Sequence, residues 1–115
     1  MLINFRPSTI AANGTVGSAV NIAALAEKSM ALAAISLTTG YTQSSISFEA
    51  SFDGGTTWLP VIKTDGSALT YSCTGSTAEA IAVPPTDLCG FPMIRPVAPV
   101  AIVAGAVLGF HFRVV

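Results

Sequence analysis

The sequence predicts an all-β protein: a two-sheet antiparallel β-sandwich, jelly-roll-like, of about eight short strands. Three observations carry this. Apolar and polar residues alternate with period two, most clearly in the hairpin 45–61. Gly-, Pro- and Asp-containing turn signals separate the alternating stretches at sandwich-like spacing. No repeat period of helical hairpins or propeller blades recurs. The chain has 115 residues, which is one domain's worth and enough for a core without staples.

Residues 1–14 read as an N-terminal arm or irregular lead-in, because Pro7 and Asn13-Gly14 are turn signals; residues 15–115 form the sandwich domain. Residues 16–25 and 29–38 are rich in Ala and Leu and could be drawn as helix. Val16, Ser18, Val20 and Ile22 nevertheless sit at period two, as do Met30, Leu32 and Ala34 on one phase and Ile35 and Leu37 on the other. We read two strands with a turn near residues 26–29, and a bulge or a doubly buried strand where the phase changes near Ala34.

In the next strand, Ile46, Phe48, Ala50 and Phe52 alternate with Ser45, Ser47, Glu49 and Ser51, one face in the core and one wet. Asp53-Gly54-Gly55-Thr56 is turn chemistry. Residues 57–63 return as the partner strand, and Pro60 places that strand at an edge or ends it there. A second turn, Thr64-Asp65-Gly66-Ser67, leads into residues 68–73, with Leu69 and Tyr71 in phase. Residues 78–83 form a short strand before Pro84-Pro85. Residues 86–90 connect with room for one helical turn, and 91–97 is a short strand marked by Pro92 and Pro96. In the last strand, 107–115, Leu108, Phe110, Phe112 and Val114 share one face, and Gly109, His111 and Arg113 the other.

Only 10% of residues are charged while 51% are hydrophobic, against about 25% charged in an ordinary soluble domain. The exposed surface is therefore largely neutral. This favours an oligomer or assembly component over a Ser/Thr-rich monomer. Net charge is −1, and Arg6, Lys28, Lys63, Arg95 and Arg113 are scattered singly, so no nucleic-acid footprint is expected. The apolar stretch 97–110 is too short to span a membrane and contains Pro99. The N-terminus lacks the pattern of a signal peptide, which points to a protein made and used in a cytoplasm or assembled there into a larger particle. Cys73 and Cys89 read as small core residues in a reducing compartment, a disulfide being the alternative.

Residue types for catalysis are sparse. His111 is the only imidazole and sits mid-strand, better placed for a surface or an interface than as a base. Glu27, Glu49, Asp53, Asp65, Glu79 and Asp87 show no pairing that suggests an acid/base couple. Asp53-Gly54-Gly55 matches part of a calcium loop, but Thr56-Thr57-Trp58-Leu59 follow in place of further acidic ligands. We therefore expect no catalytic, cofactor-binding or metal-binding residues, no cofactor, and no enzyme. Trp58 could stack on a sugar, with Tyr41 or Tyr71 as companions, but a tryptophan beside a hairpin turn is more often a packing residue.

The segment ISFEASFDGGTTWLPV resembles a signature of small virion proteins of tailed bacteriophages, carried here by Ser51, Asp53, Gly54, Gly55, Trp58, Pro60 and Val61. The stretch Gly17-Ser18-Ala19-Val20-Asn21-Ile22 before it, and Phe91 to Arg95 followed by a closing strand after it, are similar in kind and order. The same Ser-x-Asp-Gly-Gly-x-x-Trp pattern occurs in extracellular β-modules and β-propeller repeats, though a single copy argues against a propeller. The resemblance implies a bacteriophage virion structural protein. Foremost is a capsid decoration or cement protein, often a homotrimer, that binds the major capsid protein on the outer capsid surface after assembly in the host cytoplasm. A tail or fibre attachment protein comes next. A carbohydrate-binding module and, last, an enzyme are the competing classes.

Overall fold

A computed structural model of the chain describes residues 3–23, 30–38, 40–75, 78–88 and 90–114. Among these residues it holds nine strands: β1 (Ile3–Ile10), β2 (Val20–Asn21), β3 (Met30–Leu37), β4 (Ser45–Ser51), β5 (Leu59–Pro60), β6 (Thr70–Ser72), β7 (Glu79–Ala82), β8 (Met93–Val97) and β9 (Ala106–Val114). One helical turn, α1 (Pro85–Leu88), precedes β8, as the sequence predicts for that segment.

The strands form two antiparallel sheets, ordered β1-β9-β3-β7 and β2-β8-β4-β5, with β6 also pairing β4. β5 and β6 occupy opposite ends of the same edge of β4, at Glu49–Ala50 and Ser45–Ser47. They act as one strand interrupted by the excursion 62–68, whose ends meet at the Ile62–Ala68 bridge. The pairings β1 with β9, β2 with β8, β3 with β7, and β4 with β5 and β6 are those of one long hairpin. Rolled so that β9 also meets β3 and β8 also meets β4, that hairpin becomes a jelly roll.

The inner faces carry the predicted alternation. Ile46, Phe48 and Ala50 of β4 face Leu108, Phe110 and Phe112 of β9, all buried, and Phe48 meets Phe110 edge-on at 6.5 Å. The phase change in β3 is a register shift between Leu32 and Ala34, which keeps Leu32 and Ile35 both on the core side.

Several expectations are corrected. Within the segment expected as an arm or irregular lead-in, residues 3–10 instead pair along their whole length with β9. Pro7 is tolerated because it lies on an outer strand with its nitrogen turned away from β9. The neighbouring outward position, Thr9, sends its N–H to Ser18 instead. In the expected strand 16–25, among the described residues only Val20–Asn21 pairs as strand; Val16 makes an isolated bridge to Val97. The expected turn at 26–29 lies outside the described residues. Phe52 is 63% exposed, because β4 ends at Ser51 and the chain leaves the sheet; its ring rests against Phe91. Ser51, expected on the wet face, is buried, drawn in by the turn that follows.

Candidate functional site

The predicted site candidates serve local structure. Asp53 organises the β4–β5 turn: its Oδ1 accepts N–H bonds from Thr57 at 2.8 Å and Thr56 at 3.1 Å and the Ser51 hydroxyl at 2.8 Å. Those donors, Thr57 first, lower its pKa to about 2. Ser51 Oγ in turn accepts the Gly55 N–H, and Gly54 and Gly55 supply the positive φ angles. Trp58 closes the turn by donating its indole N–H to the Gly55 carbonyl at 3.0 Å. Its ring is half-buried and lies on the outer side of the second sheet. There the Arg95 guanidinium sits 4.4 Å over its centroid and pairs with Glu49 at 2.6 Å. Trp58 is therefore neither an inter-sheet plug nor a bare platform.

The companion aromatics are engaged elsewhere. Tyr41 is buried and donates its hydroxyl to the Ser45 carbonyl; burial, and secondarily Cys73, push its pKa up. Tyr71 packs edge-on against Phe48 and donates to Asp87. Of the remaining carboxylates, Asp65 caps its own turn through Ser67, and Glu79 accepts from Thr74. Glu27 and Lys28 lie outside the described residues. His111 meets the Ser36 hydroxyl at 2.9 Å and the Phe5 ring at 5.1 Å on the outer face of the first sheet. Cys73 is a half-buried free thiol that packs on the core and donates to the Gln43 carbonyl; burial raises its pKa. Cys89 lies outside the described residues. Among the described residues, no cluster of His, Cys, Asp and Glu could hold a metal ion, and no helix is long and apolar enough to cross a membrane.

What the fold does assemble is an apolar, charge-free cluster of loops at one end, with Glu79, which opens β7 opposite Leu37, at the same end and bonded to Thr74. The strand directions bring loops 11–19, 38–44 and 98–105 to the same end of the sandwich. None of them contains a charged residue. Loops 11–19 and 98–105 are laced together: Asn13 N–H donates to the Ile102 carbonyl at 2.6 Å, Ile102 N–H to Gly14 at 3.1 Å, and Ala98 N–H to Thr15 at 2.7 Å. Ile102 is thereby buried while Val103 is left 82% exposed and Val100 56% exposed, flanked by exposed Ala11, Ala12, Ala101 and Ala104. Asp53, which follows β4, lies at the other end. Phe5 and Val107, on neighbouring strands, extend the apolar surface down the outer face of the first sheet.

Sequence reasoning passed over this end. Its sequence signal is the charge-free run 96–112.

Compared with known proteins, the chain matches no family model and no curated relative.

Proposed function

We propose that this chain is a non-enzymatic structural protein of a tailed-bacteriophage particle, a decoration or cement protein that seats on the outer capsid surface and stabilises the shell. The observation that carries this reading is the charge-free pair of laced loops bearing exposed Val100 and Val103. Two such valines on a laced loop pair cost solvation while exposed and repay it on burial, at about 25 cal/mol per Å² of apolar surface. The described carboxylates are committed to turns, caps and one ion pair, which supports binding over chemistry. The jelly-roll topology and the resemblance of the 45–61 hairpin to small virion proteins favour a shell role. That resemblance also favours a homo-oligomer, a trimer foremost, with the major capsid protein as partner. Such a protein works by mass action: whatever binds only the assembled shell stabilises it.

The test mixes the purified chain with capsids of the phage that encodes it and follows co-sedimentation and shell melting. The wild type should co-sediment and raise the melting temperature of the shell. V103D, at a site too exposed to matter for folding, should keep its own melting temperature and lose shell binding. Absence of wild-type binding to capsids would sink the reading, and binding to tails instead would move the protein to an attachment role.

A further inference from the structure

A sheet edge presents unpaired N–H and C=O groups on alternate residues, and an uncovered edge is a template for another strand. Three of the edges here are blunted. On β1, Thr9 exchanges both of its outward groups with Ser18. Pro7, in the same row, has no N–H, and the Phe5 carbonyl is taken by Arg6. β2 is only two residues long. The β5–β6 edge carries Pro60 and is interrupted by the excursion 62–68 with Lys63 and Asp65.

β7 is different. Val83 donates to the Ala33 carbonyl at 3.0 Å, so positions 79, 81 and 83 form the row bonded to β3. Ala80 and Ala82 turn their N–H and C=O outward. Both residues are exposed, and among the described residues no hydrogen bond reaches those groups. The strand holds no proline and no lysine. Ile81, on the core side, is only half covered.

We infer that the β7 edge is a self-pairing site, occupied by β7 of a second copy in antiparallel register about a twofold axis through Ile81. The strand is complementary to itself in that register. Ala80 lies opposite Ala82 of the second copy and exchanges both backbone bonds with it, and symmetry repeats the pair. The two Ile81 side chains meet on the core side and extend both apolar layers across the junction. Glu79, the one charge on the strand, falls opposite Val83 of the second copy and is held back by Thr74, so no like charges face each other. The small Ala80 and Ala82 side chains leave the outer face open to close approach. A twofold contact of this kind adds to a threefold association through other surfaces, and it does not rest on the phage reading.

The test is sedimentation equilibrium of the full chain together with hydrogen exchange of individual amides. The wild type should dimerise, and the Ala80 and Ala82 amides should become protected as concentration rises. A82P removes an outward N–H that serves no bond among the described residues. It should weaken dimerisation about a hundredfold, since each copy loses a hydrogen bond and gains a clash. A80K, which places a charge on the edge without altering the backbone, should also weaken it, with an unchanged circular dichroism spectrum. A chain that carries no twofold association, or a dimer that persists in A80K with freely exchanging Ala80 and Ala82 amides, would overturn the inference.

Discussion

Arg95 lies over the face of Trp58 and grips Glu49 from the same guanidinium, joining the β4–β5 turn to the neighbouring β8 strand. Both partners of the ion pair are about three-quarters shielded, at 24% and 26% exposed. The contact therefore counts for more than a fully solvated pair. R95A should lose about 1–2 kcal/mol of stability in denaturant melts, from the cation–π contact and from Glu49 left without its cation. Trp58 is the chain's single tryptophan, so its emission should shift to the red in the folded variant. An unchanged spectrum would mean that the stacked arrangement does not persist in solution.

The Asp53 turn makes stability depend on acid. The folded carboxyl titrates at about 2 rather than 3.8, chiefly because Thr57 and Ser51 donate to its charged form. A depressed folded pKa contributes stability that is fully present above the ordinary value and is lost as pH falls toward the folded one. D53N should melt below the wild type at neutral pH, and the gap between the two should close between about pH 4 and pH 2. A gap that stays constant through that window would show that the carboxylate charge is not what holds the turn.

Gly17 is required by space rather than by conformation. A Cβ there would stand 2.5 Å from Ser8 Oγ and 2.6 Å from Pro96 Cγ, where the β1–β2 connection crosses β8. G17A should cost about 1–3 kcal/mol by overpacking, read as a lower denaturation midpoint at unchanged m-value. A neutral result would mean that Pro96 can yield.

Much of the fold was legible because its strands are half-buried. β4 and β9 alternate so strictly that their inner faces follow from the sequence. β1 was not legible, because proline reads as a break unless it is known that the strand lies at an edge with the nitrogen facing outward. Ser51 and Phe52 exchanged environments for a related reason: a turn's hydrogen bonds, not the strand period, decide where its flanking side chains go. The charge-free loop pair was half visible. The charge-free run could be counted in the sequence, but the split between buried Ile102 and exposed Val103 depends on a loop more than eighty residues away in the chain.

The register of β1 on β9 sets Ile3 opposite Arg113 and Ile10 opposite Ala106. The Ile3 and Arg113 ends of these strands therefore lie remote from Val100 and Val103. A reporter or antigen joined through Ile3 or Arg113 is expected to leave those two valines uncovered.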